Sequence, residues 1–162
     1  MTSEKINLIQ FLNQQHLCES LTIKEVQLLL DYTEVVTFSK NQIIAEIGTV
    51  GESLYFVIKG QAGLIHVDGT NETEVGRVHE GELMGEMSFF DLEPRSVRMM
   101  ALKNDTQLLK LSRTMYNRLR VEYPYIAVNI LEHAIVSLDH LFRRLSSDVA
   151  TYSNILYGKG KH

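Results

Sequence analysis

At 162 residues, with 44% hydrophobic and 22% charged side chains, the chain has room for one domain with a sizeable core and little more. Its net charge of -4 argues against broad electrostatic attraction to nucleic acid or an anionic membrane. No apolar run approaches the roughly 20 residues that span a bilayer, the N-terminus lacks a secretory pattern, and the single cysteine, Cys18, cannot form an internal disulfide. A soluble protein of the reducing cytoplasm is therefore expected.

Helices are expected over 1–34, where Thr22 followed three residues later by Glu25 has the spacing of a capping box ahead of Val26, Leu29 and Leu30 on one helical face. From 35 to 112 the period changes to short β-rich runs, "VVTF", "QIIAEI", "LYFVIKG", "AGLIHV", "VGRV", "VRMMAL" and "QLLKL", broken by glycine or polar turns. Asp68-Gly69 is a hairpin signal. Such even spacing predicts a mainly β fold with flanking helices, an antiparallel, jelly-roll-like β-roll. Over 113–146 the pattern is helical again, with "RTMYNRLRVEY" ending before Pro124, which suits the first turn of a second, long helix. Along that helix Val128, Leu131, Ile135, Leu138, Phe142 and Leu145 recur at alternating spacings of three and four, the seam of a packed helix or short coiled coil. Residues 147–162 read as a tail ending in "YGKGKH".

One stretch interrupts the β pattern. In "GEMSFFDLEPRSV", Gly85 to Val97, one helical turn starting after Gly85 would point free backbone N–H groups at an anion. Arg95 can pair bidentately with phosphate oxygens, and Ser96 adds a hydroxyl. Glu86 beside an anion would repel it unless the same ligand also offers hydroxyl donors, as a ribose does. A phosphate and a neighbouring hydroxyl in one molecule describe a nucleotide.

Gly85-Glu86-Met87-Ser88, followed by Arg95-Ser96 and Ala101, resembles the phosphate-binding cassette of the cyclic nucleotide-binding domain family, to which catabolite activator proteins and regulatory subunits of cAMP-dependent kinase belong. The resemblance extends over nearly the whole chain and implies a single domain over 1–162: a β-roll at 35–112 flanked by N-terminal helices and a long C-terminal helix. It implies that Glu86 accepts from the ribose 2′-hydroxyl and that Arg95 and Ser96 hold the cyclic phosphate, with backbone N–H groups of Gly85, Met87 and Val97 nearby and Ser88 in the same cassette. A cyclic nucleotide, cAMP first, is the expected ligand, with no further cofactor. Two positions depart from the family pattern, Val97 where a small residue is usual and Arg98 where a neutral one is.

The expected function is a stand-alone sensor or regulatory module that signals through its C-terminal helix to an effector protein. Two alternatives stand beside it: a degenerate domain, its pocket filled by Val97 and Arg98, that serves interaction or assembly, and a sensor of another cyclic mono- or dinucleotide. The family's activators carry a DNA-binding module of about 50 residues after the long helix. Only a short stretch follows Leu145, so direct DNA binding is not expected. An enzyme is not expected either, since His66, His79, His133 and His140 show no metal-ligand spacing and Glu80, Asp91 and Glu93 have no nucleophile beside them. Phe89 and Phe90 read as core, and Arg143-Arg144 as solvent-facing arginines that could at most reach a ligand from the long helix. The apolar seam reads as the contact of a parallel homodimer.

Overall fold

A computed structural model describes residues 2–158. Helices α1 (Ser3–Asn13) and α2 (Ile23–Asp31) flank a 3-10 turn at His16–Cys18. The capping box at the start of α2 is formed: the Glu25 N–H donates to Thr22 Oγ1 at 3.2 Å and the Thr22 N–H to Glu25 Oε2 at 2.7 Å.

The β-rich runs become strands β1 (Glu34–Phe38), β2 (Ile43–Ala45), β3 (Ser53–Lys59), β4 (Gln61–Asp68), β5 (Asn71–His79), β6 (Leu83–Met84), β7 (Arg98–Ala101) and β8 (Thr106–Ser112). They form two antiparallel four-stranded sheets in the orders β1-β8-β3-β6 and β2-β7-β4-β5, so the expected β-roll is present. The Asp68-Gly69 signal is the β4–β5 hairpin: Asp68 pairs with Asn71, and Gly69 takes the left-handed φ of 62° that the turn requires. Strand β6, two residues long, gave no periodic signal of its own.

Alternation along β3 and β8 explains how one sheet serves two cores. Leu54, Phe56, Leu109 and Leu111 face outward under the helices, packed with Leu12, Cys18, Val26, Leu29, Leu119, Ile126 and Phe89. Val57 and Leu108 face inward with Ala62, Val78, Met84 and Met99 to fill the roll. Complete burial of a side chain of this size contributes about 1.5–3 kcal/mol. Burial also pushes the Cys18 thiol up to about 12, which leaves it protonated and inert at neutral pH.

Helix α3 (Glu86–Asp91) lies between β6 and β7, as the stretch after Gly85 suggested. After β8 come α4 (Arg113–Glu122) and α5 (Pro124–Tyr157), with Pro124 opening α5. Here the expected boundary at 146 is corrected. Residues 147–157 continue α5 as helix, because "SSDVATYSNILY" contains neither proline nor glycine and the first stop is Gly158. Residues 159–162 of the expected tail lie outside the described residues. The N-terminal half of α5 docks on the rest of the fold through buried Ile126, Ala127, Ile130 and Ala134. There Asn129 Nδ2 donates to Leu17 O, and Tyr125 Oη donates to Ser20 O at 3.1 Å. No helix among the described residues is long and apolar enough to cross a membrane.

Candidate ligand-binding site

The turn before α3 depends on Gly85, whose φ of 86° is left-handed. A Cβ built there would lie 3.5 Å from both terminal nitrogens of Arg95, in ordinary contact, so it is the left-handed backbone that favours glycine here, and the guanidinium lies beside the start of the helix. Phe89 N–H donates to Gly85 O at 3.3 Å, and the N–H groups of Met87 and Ser88 fall in the first turn, where an α-helix leaves them without an internal acceptor. The Ser88 hydroxyl is otherwise committed: it accepts from Gly51 N–H at 2.7 Å and donates to Glu93 O at 2.6 Å, closing the loop on itself.

Arg95 is pinned by its backbone, its N–H donating to Thr49 O at 2.9 Å and its carbonyl accepting from Gly48 N–H at 2.8 Å. Its side chain is half-buried, and Nη1 donates to Met99 Sδ at 3.7 Å. None of the ion pairs among the described residues includes Arg95. Burial pulls this guanidinium below its ordinary value, although it remains charged at any physiological pH. Glu86 is 8% exposed and accepts from Ser137 Oγ of α5 at 2.8 Å. Its carboxyl is pushed above the ordinary value, first by burial, while its own backbone N–H, Ser137 and Arg95 pull it back and Glu82 adds to the rise. Glu86 and Arg95 form no ion pair with each other.

Gly85, Glu86, Met87, Ser88, Arg95, Ser96 and Val97 all line one cavity of about 480 Å³. Arg98 does not. It lies on β7 facing away, its Nε donating to Glu46 Oε1 at 3.0 Å and Nη1 to Glu72 Oε1 at 2.6 Å. The far end of the cavity is walled by Leu64, Val75, Gly76 and Arg77 of the β4–β5 hairpin and covered by Leu141, Arg144, Leu145 and Asp148 of α5.

The α5 contribution was the least visible in the sequence. Arg143 and Arg144 looked equivalent; Arg143 reaches back to Asp139 at 2.8 Å, whereas Arg144 faces the cavity. The signal that could have separated them is phase, since Ser137, Leu141, Arg144 and Asp148 follow the docked residues Ile130 and Ala134 on the same helical face. Arg113 was also missed. Its Nη2 donates to Gly51 O and, at 2.8 Å, to Phe89 O, with the guanidinium 4.4 Å above the Phe89 ring, so it clamps α3 to the loop before β3. Phe89 is core as expected, while Phe90 is partly exposed and meets Phe89 and Tyr116 edge-on. No cluster able to hold a metal ion occurs among the described residues.

Comparison with known proteins bears on this arrangement. A family model described as a cyclic nucleotide-binding domain matches residues 35–123. The chain is 34% identical over 115 residues to the cyclic AMP receptor protein of Thermus thermophilus, covering 70% of this chain and 53% of that protein. It is 29% identical over 120 residues to the cAMP-dependent protein kinase regulatory subunit of Blastocladiella emersonii, covering 73% of this chain and 30% of that subunit. The chain thus spans about half the length of the first relative and under a third of the second. In fold it is similar to a cyclic nucleotide-binding domain from Methylobacillus flagellatus, with a TM-score of 0.78 at 22% identity over 92% of this chain and 84% of that one.

Proposed function

The chain belongs to the cyclic nucleotide-binding domain family, and from that premise we propose that it is a cytoplasmic regulatory sensor that binds a cyclic mononucleotide, cAMP first, and carries no catalytic step of its own. In this reading Arg95, Ser96 and the N–H groups of Gly85, Met87 and Val97 hold the cyclic phosphate, Ser88 keeps the loop closed, and Glu86 accepts from the ribose 2′-hydroxyl. The base lies between the β4–β5 hairpin and α5. The observation that carries the reading is Arg95, a half-buried guanidinium that forms no ion pair with any carboxylate among the described residues, set in the same cavity as the buried Glu86. A cation desolvated without a partner is costly, and an anionic ligand removes the cost. The names of the two relatives support cAMP. A pocket filled by its own side chains is disfavoured because Arg98, one of the two residues that would fill it, is held outside by Glu46 and Glu72.

In this proposal the sensor works as a homodimer through α5, and α5 passes ligand occupancy to an effector protein. Titration calorimetry of the purified chain with cAMP, cGMP and cyclic di-GMP tests the ligand class. Arg95→Ala should weaken binding by about 2–5 kcal/mol, the loss for removing one member of a desolvated charge pair. Arg98→Ala should leave affinity nearly unchanged. A folded Arg95→Ala protein with wild-type affinity would sink the assignment.

A further inference from the structure

We propose that Ser137 of α5 is a positioning residue of the ribose subsite: its hydroxyl fixes the Glu86 carboxylate in the orientation and charge state that read the sugar, and thereby ties sugar capture to the seating of α5. The inference rests on the assignment of Glu86 to the ribose. A serine in the middle of a helix can return its hydroxyl to the carbonyl four residues back. Ser137 does not; its Oγ reaches across 51 residues of sequence to donate to Glu86 Oε1 at 2.8 Å. An ionised carboxylate has about four acceptor positions, so the bonds from Ser137 and from the residue's own backbone N–H still leave positions for a ligand hydroxyl.

Charge state depends on the same contact. Burial favours the neutral acid, which would turn Glu86 from an acceptor into a partial donor, and the Ser137 hydroxyl is a side-chain donor that opposes this. Position adds a second consequence. Ala134, one turn before Ser137 on the same face, is buried in the docked part of α5, and Leu141, one turn after it, is half-buried and lines the cavity. Ser137 therefore sits where the docked part of α5 passes into the part that covers the cavity, and whatever strengthens the hold on Glu86 also strengthens the seat of the helix.

The test compares cAMP with 2′-deoxy-cAMP by calorimetry on the full chain for wild type, Ser137→Ala and Ser137→Thr. Wild type is expected to prefer the ribo ligand. Ser137→Ala should reduce that preference by about 3- to 10-fold, the effect of one ordinary hydrogen bond, through the ribo ligand alone, and Ser137→Thr should restore it. Loss of the donor raises the Glu86 carboxyl further, so on acidification the alanine variant should lose its affinity for cAMP at a higher pH than wild type. Equal losses for both ligands would reveal a merely structural serine and overturn the proposal. If wild type discriminates and Ser137→Ala discriminates as well, Ser137 alone is wrong. If wild type binds both ligands equally, the ribose assignment of Glu86 fails and this inference falls with it.

Discussion

Glu86 is ionisable, nearly enclosed, and held above its ordinary value of 4.5 chiefly by loss of water. A carboxyl whose folded value is raised is protonated in the folded protein before the unfolded one. Its charge therefore opposes folding above the raised value, and the penalty fades as pH falls toward 4.5. We predict that Glu86→Gln, in the absence of ligand, is more stable than wild type at pH 7, by on the order of 1 kcal/mol, or about 2–4 °C in Tm for a chain of this size. Thermal melts across pH check it: the gap should narrow toward pH 4.5, and a variant less stable than wild type at pH 7 contradicts the account. The same variant should lose discrimination for the 2′-hydroxyl, since an amide oxygen is a weaker acceptor than a carboxylate. Stability would then rise while the function falls, as expected at a binding site. Glu86 and Arg95 were legible in the sequence because a glycine and a short turn bring them together locally. Ser137 was not, because its contact needs a helix to return over the roll, and no local pattern records where a helix lands.

At the scale of elements, α3 is a six-residue helix between two left-handed residues, Gly85 and Leu92, and has little intrinsic stability of its own. Its place is set from outside. Gly51 approaches so closely that a Cβ there would meet Phe89 N at 2.7 Å, and Arg113 at the start of α4 bonds the carbonyls of Gly51 and Phe89 while lying over the Phe89 ring. Arg113→Ala is expected to destabilise the protein by about 2–3 kcal/mol, from the lost hydrogen bonds and cation–π contact. It should also weaken ligand binding although Arg113 is absent from the cavity lining. Urea denaturation and calorimetry on the same variant test both; unchanged affinity would mean that α3 is positioned without the clamp. The elements themselves were largely readable, because the Thr22–Glu25 capping box and the two-residue period of β3 and β8 are local chemistry. The Arg113 clamp and the two-residue β6 were not, since each exists only once strands distant in sequence are in register.

The whole molecule presents an unsatisfied face. With α5 continuous to Tyr157, the seam read as far as Leu145 extends: Val128, Ile135, Phe142, Val149 and Leu156 repeat every seven residues, with Leu131, Leu138, Leu145 and Tyr152 three residues after the first four. This is a heptad a/d pattern, and branched Val and Ile at a with Leu at d favours a parallel two-stranded coil. Ile135, Phe142, Leu145, Val149, Tyr152 and Leu156 are all exposed, so the roll does not cover them, whereas Leu131 and Leu138 are half-buried. Leu145 both lines the cavity and stands on the seam, so in the proposed dimer it would connect a bound ligand to the partner helix. A charge at Leu138 would disturb the half-buried part of the helix as well as the seam. Phe142 is the cleaner probe, since at 70% exposure it contributes little to the folding of one chain. In a dimer, Phe142→Asp would place two carboxylates at the centre of the seam, each desolvated and facing its symmetry mate, at a cost of several kcal/mol. We predict that wild type is a dimer by light scattering at tens of micromolar and that Phe142→Asp is a monomer with unchanged circular dichroism. If occupancy of the cavity is passed along α5, adding cAMP should tighten the wild-type dimer and leave the variant monomeric. A wild-type protein that stays monomeric with and without cAMP would remove the dimer and its transmission route together, and would leave the cavity assigned to Arg95 and Glu86 as it stands.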